Sequence, residues 1–254
     1  MENHSSKLQV GTEPWLTETG GRLTISQAIG LAMQGFSQTL SEFFTSPNGI
    51  TQEEAKRQLE RVTIAREEFL RVVKTQRERV LDRQGEALLN HTARTYLFGA
   101  ALVSDEAFGR VDHTVAAKAS LAHDDGLLHP STPGGCFTGD SANEAKIMLG
   151  NIGASSASID LARAAVISHF QPKLPAKAGA EAQMIALGAS ADVMGIGLKH
   201  IDRAILLEVW GEWPDLGFIP KVRALLKGER TRAPLTRPGV LAISGMPYLL
   251  RSSK

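Results

Sequence analysis

Cysteine is all but missing from this chain. Cys136 is the one thiol among 254 residues, so no intrachain disulfide can form, which fits a reducing compartment. An excess of charge is lacking as well: 28 Lys and Arg face 27 Asp and Glu, a formal net charge of +1. That balance gives no global pull toward nucleic acid or a membrane surface. No run of about 18 apolar residues occurs, the length a membrane helix needs, and the polar stretch from Met1 to Leu23 has no apolar segment of signal-peptide kind. A soluble cytoplasmic protein without nucleic-acid or membrane partners is expected. Strand-type alternation and internal repeats are missing too, so the expected fold class is all-α.

What is present suffices for a full core: 43% of the residues are hydrophobic. The length allows one large domain or two small ones, and one is expected. Residues 1–23, with Gly11, Pro14, Gly20 and Gly21, read as a disordered tail or as an arm packed on the body through Trp15. Residues 24–254 form the domain. Ile25, Ala28, Ile29, Ala32, Met33, Phe36, Leu40, Phe43 and Phe44 recur at helical spacing, predicting a helix buried along that stripe. Ser46-Pro47-Asn48-Gly49 should end it in a turn. Thr51 and Glu54 form a capping box ahead of a helix with Ala55, Leu59, Val62, Ala65, Phe69, Val72 and Val73 inward and a solvated charged face outward. A turn near Gly85 precedes a helix bearing His91 to about Val103, then Ser104 caps a successor. Residues 126–140, rich in Pro and Gly, predict a loop over the site. Further helices are expected over 141–149, 156–169, 180–194 and 198–210, with an apolar segment over 240–250 packed on the body or on another subunit.

The densest chemistry is His123-Asp124-Asp125, which comes 32 residues after His91, with Asp192 a further 68 residues beyond Asp124. Adjacent His and Asp cannot share a face within a regular helix, so the pair should sit at a helix terminus. Two imidazoles and two carboxylates could hold one divalent cation and leave positions for water. His123 and Asp124 beside Leu121 and Ala122, and Asp192 among small apolar residues, would be costly to bury uncompensated. Arg94 lies one turn beyond His91, where its fork could pair with a ligand carboxylate, with an anionic substrate, or with a surface partner.

His91-Thr92-Ala93-Arg94-Thr95-Tyr96-Leu97-Phe98-Gly99, then His123-Asp124, then Asp192, resembles the HD superfamily of metal-dependent hydrolases. The pattern His-x-x-Arg-x-Tyr-x-Phe-Gly is most similar to its cyanamide hydratase-like branch. Phe137-Thr138-Gly139-Asp140, Ile167-Ser168-His169 and Gly188-Ala189-Ser190-Ala191-Asp192 are similar to that branch's later blocks. The resemblance covers roughly residues 85–240. It implies a single-domain helical bundle of the HD type, with His91, His123, Asp124 and Asp192 around one divalent ion (Zn, Mn, Fe, Co or Ni). It also implies a pocket-facing His169 and substrate contacts from Tyr96, His129 and Phe137. Two departures stand out: Asp125 occupies a position where an aliphatic residue is usual, and Leu127 replaces a common Lys, which weakens the case for a phosphate substrate.

The implied activity is hydrolysis of a small phosphoester or carbon–nitrogen compound by a metal-activated water, with Asp124, Asp125, His169 and Arg94 as the catalytic set. Addition of water to a nitrile is the second reading. A binding or regulatory module on the same scaffold, without catalysis, is the third. A second copy of the chain stays open as a partner.

Overall fold

The frame of the molecule is a helix of 33 residues, α3 (Gln52–Gln84), about 50 Å long at 1.5 Å per residue. It starts where the sequence predicts: the Thr51 hydroxyl accepts from the Glu54 N–H at 3.2 Å. Only half of the capping box forms, because Glu54 turns its carboxylate to Arg57 and Arg61 instead of back to Thr51. Val62, Ala65, Phe69, Val72 and Val73 face inward, whereas Leu59 is exposed. The charged face is less solvated than expected. Arg61 is buried and donates to the Ala100 and Ala101 carbonyls at 3.0 Å each, near the end of α4 (Glu86–Leu102). Those carbonyls lie in the last turn, where helical oxygens lack intrahelical partners and a cation is favoured.

The computed structural model of the chain describes residues 8–44, 49–174 and 178–250, without the side chains of 38–44. Among these residues the fold is all-α; the one β contact is an isolated bridge between Arg22 and Thr236. The side chains of the predicted inward positions Leu40, Phe43 and Phe44, and the turn at 46–48, lie outside what the structure describes.

Against α4 pack α3, α6 (His113–Ala122) and α10 (Ala180–Met194); α8 (Phe137–Gly150) and α9 (Ser156–Ser168) form a further pair packed on α6, with α9 also on α10, and the short α5 (Asp105–Phe108) and α7 (Asp125–Leu128) lie between helices in the chain. Gly85, at φ 77°, makes the corner from α3 to α4, a backbone region costly for residues with a Cβ. From Leu88 to Ala101 every residue of α4 is buried, the mark of a helix enclosed on all sides. Its closest neighbour is α10. A Cβ on Gly188 would collide with the Thr95 carbonyl, and one on Gly99 with the Met184 carbonyl. These two glycines let the backbones approach until side chains of α10 reach those of α4.

Residues 8–23 form an arm on the body. Trp15, on α1 (Glu13–Thr19), is fully buried and lies under the Arg237 guanidinium, 5.1 Å from ring to charge. Leu23 N–H donates to the Leu235 carbonyl at 2.7 Å, so residues 8–23 are tied to α13 (Arg237–Ile243).

Three expectations are corrected. The stripe on α2 (Ile25–Phe44) is buried only in part: Ile25, Ile29, Met33 and Phe36 are exposed, whereas its small members Ala28 and Ala32 pack on the body. With Leu31, from beside the stripe, these alanines rest α2 on α13, and Gly35 sits so close that a Cβ there would touch Leu241. Small side chains permit the close approach that buries Leu31; Ile25, Ile29 and Met33 point away. The second correction is that α8 begins at Phe137, so the loop after α7 is shorter than predicted and its residues 129–134 lie at or near the surface. The third is a helix not foreseen, α12 (Phe218–Arg232), which follows α11 (Arg203–Glu212) and packs against α13 and α14 (Met246–Leu249). The apolar segment over 240–250 thus packs on the body, split by Gly245 at φ 97°.

Candidate metal centre

The His-Asp pair sits at a helix junction, as adjacent side chains that must converge require. α6 ends at Ala122 and α7 begins at Asp125, with Asp124 between them at φ −109°, ψ 4°. Gly126 holds the corner against α8: its N–H donates to Ser141 Oγ at 2.9 Å, and a Cβ there would meet the Phe137 carbonyl.

Three imidazoles converge on Asp124. His91 Nε2 lies 3.4 Å from Asp124 Oδ2, His123 Nε2 lies 3.6 Å from it, and His169 Nε2 lies 3.5 Å from Oδ1. Each ring spends its other nitrogen on an oxygen acceptor. His123 Nδ1 donates to the Ser120 carbonyl at 2.7 Å, His169 Nδ1 to the Val166 carbonyl at 2.6 Å, and His91 Nδ1 to Asp192 at 2.8 Å. Fixing the Nδ1 proton in this way turns the Nε2 lone pair inward, which is how metal-binding histidines are held. Phe218 stacks on His91 at 4.0 Å and a tilt of 13°.

His91, His123 and Asp124 are buried and offer ligand atoms within 4.8 Å of one another; they could hold a metal ion. The chemistry of the donors fits. His91 Nε2 and His123 Nε2 are 3.0 Å apart, and two lone pairs cannot face each other at that distance. Burial pushes His123 down to about 3, so it is neutral at pH 7. For His91 burial also opposes charge, but Asp124 and Asp192 outweigh it and raise the pKa. A proton on His91, or a cation in its place, must lie between the rings. Asp124 is held well below the usual carboxylate range: burial opposes ionisation, and His123, His169 and His91 together overcome it.

Asp192, expected as a fourth ligand, lies outside the group of His91, His123 and Asp124 and sits behind His91. Both of its oxygens are engaged by the buried Arg94, through Nε at 2.7 Å and Nη2 at 2.8 Å, and Oδ2 also takes the His91 proton. Burial would raise its pKa, but Arg94 and His91 hold it well below the usual range. Arg94 therefore faces a carboxylate and the Trp213 and Pro214 carbonyls, not a substrate. Asp125 is engaged as well: Arg83 takes both of its oxygens at 2.7 Å and Gln84 adds a third bond at 3.1 Å, which ties α7 to α3. Tyr96 gives its hydroxyl to His113, and exposed His129 donates to the Arg83 carbonyl, so neither reaches the site. Phe137 stands edge-on behind His169, centroids 6.0 Å apart, and is a buttress.

A cavity of about 140 Å³ opens from His91, His123, Asp124 and His169. Its walls include Phe36 of α2, Val222 and Leu226 of α12, Leu241 of α13 and Met246 of α14; from the expected lid only Leu127 contributes. No motif marks these wall residues. The spacing of Phe218, Ile219, Val222 and Leu226 was the one signal that could have found α12.

No family model matches the chain, and no curated protein matches it. Among the described residues no helix is long and apolar enough to cross a membrane.

Proposed function

We propose that the chain is a metal-dependent hydrolase of the HD superfamily, acting on a small molecule, with His91, His123 and Asp124 holding one divalent cation. The observation that carries this reading is three imidazoles, each with its Nδ1 proton committed to an oxygen, presenting Nε2 to one buried carboxylate at the floor of a cavity. Two imidazoles and a carboxylate leave coordination positions open, as catalytic sites require. A bound cation would supply a lowered water pKa and polarisation of a substrate oxygen or nitrogen. The chain's own residues do the rest. Asp192 and Arg94 fix the His91 ring, and Phe218 limits its tilt. His169 carries the proton traffic: its Nε2 has no hydrogen-bond partner in the protein and lies in the cavity lining. Apolar walls keep bulk water from the floor.

Addition of water to a nitrile, the activity of the cyanamide hydratase-like branch, uses the same parts and differs only in the bond attacked. A retained scaffold without catalysis is the competing class. Elemental analysis of the purified chain, then turnover on nucleotides, simple phosphoesters, amides and cyanamide, separates the three. The expected result is one divalent metal per chain, with metal and turnover both lost in His123→Ala while helicity is retained. A chain with no affinity for divalent ions overturns the proposal.

A further inference from the structure

We infer that the ligand of this cavity is a neutral molecule bearing an apolar group of about benzene size, with its polar head at Asp124 and His169. The inference rests on the metal-centre reading only for what happens at the head. The cavity walls carry no Lys or Arg among the described residues. Above the floor the polar lining consists of Gln171, Ser190 and Ser244, and two of these are committed elsewhere: Gln171 donates to the Val10 carbonyl and Ser244 to the Val240 carbonyl at 2.9 Å. The remaining surface is aliphatic or aromatic, led by Phe36, Phe170, Val222, Leu226, Leu241 and Met246.

A phosphoester dianion entering this space would lose its hydration against hydrocarbon, with no guanidinium or ammonium in the walls to replace it; the one countercharge would be a cation at Asp124, whose charge that carboxylate already offsets in part. A neutral carbon–nitrogen compound meets no such penalty. Its apolar part gains from leaving water, and its one polar end finds His169 Nε2 on the floor, which makes no full hydrogen bond and lies 3.5 Å from Asp124 Oδ1. Size follows from volume: an apolar cavity of about 150 Å³ takes a benzene molecule, and this one measures about 140 Å³. The site thus selects for a short hydrocarbon or single ring attached to a compact neutral head such as an amide or nitrile.

The test is calorimetric titration of the zinc-loaded full chain with straight-chain hydroxamic acids from acetyl to octanoyl, beside 1-alkanols of matched length. Hydroxamates are neutral at pH 7 and have a metal-seeking head; alkanols have none. Affinity should rise about fourfold per methylene, the usual gain for burying one, and level off near six carbons as the chain reaches the mouth. Met246→Gln, which keeps volume on a half-buried wall position, should flatten that slope. A slope in both series, with hydroxamates no tighter than alkanols, supports the apolar pocket while removing the metal reading. Tight acetohydroxamate with no dependence on length overturns the inference and leaves the metal centre standing. Phenyl phosphate binding more tightly than benzohydroxamate overturns it too.

Discussion

Asp192→Asn separates a supporting carboxylate from a ligating one. In the wild type the carboxylate is fully buried, accepts two hydrogen bonds from Arg94 at 2.7 and 2.8 Å, and fixes His91 through a third at 2.8 Å. The amide keeps one oxygen for His91 but leaves the buried guanidinium facing an N–H₂ group. Breaking a buried ion pair from one side costs about 3–5 kcal/mol, and a chain of this size loses roughly 2–4 °C of Tm per kcal/mol. The variant should therefore melt roughly 6–20 °C lower at pH 7. The wild-type carboxylate has a depressed pKa, so its contribution is present above the unfolded value of about 3.9 and is lost as pH falls below it toward the folded value. The two proteins should then converge in melting temperature as pH drops below about 4. Metal affinity, measured by competition with a chromophoric chelator, should weaken about 10–100-fold, as for residues that orient a ligand. A folded Asp192→Asn chain that has lost metal as completely as His123→Ala would refute this, because Asp192 would then touch the ion itself.

Asp125→Asn, by contrast, should leave metal uptake unchanged and cost about 1–3 kcal/mol in thermal unfolding, since it breaks a buried bond network to α3; lost uptake would return Asp125 to the site. Gly188→Ala places a methyl on the Thr95 carbonyl and should destabilise by at least 1–3 kcal/mol, weakening metal binding as α10 carries Asp192 away from His91; an unchanged melt would mean the helices have slack. Trp15→Ala should cost about 3–5 kcal/mol and expose residues 8–23 to limited proteolysis while the metal is retained.

The helices and the His123-Asp124 pair were legible because their signals are local. The Thr51 cap, the Gly85 corner and the junction at His123-Asp124 each follow from a few neighbouring residues and appear in the fold. The second rank of the site was not legible. Whether Asp192 meets an ion or a histidine is decided by Arg94 and by two glycine contacts between α4 and α10, which no spacing reveals. Asp125 looked reactive until Arg83, 42 positions earlier, claimed both oxygens. The stripe on α2 misled for a physical reason: helical period identifies an apolar face, but Ala28, Ala32 and Gly35 offered a closer fit to α13 than Ile29 and Met33 could.

Phe36, on one side of the helix bearing His91 in the chain, and Leu241 and Met246, far beyond it on the other, close the cavity from distant segments, whereas Leu127, Phe170 and Val193 line it beside the histidines and Asp124 at its base. Part of the wall is thus encoded apart from the floor. Substitutions at Phe36, Leu241 or Met246 can reshape what the cavity admits while leaving the His91, His123 and Asp124 geometry in place, and damage to the α1–α13 clasp should loosen the wall before it disturbs the floor.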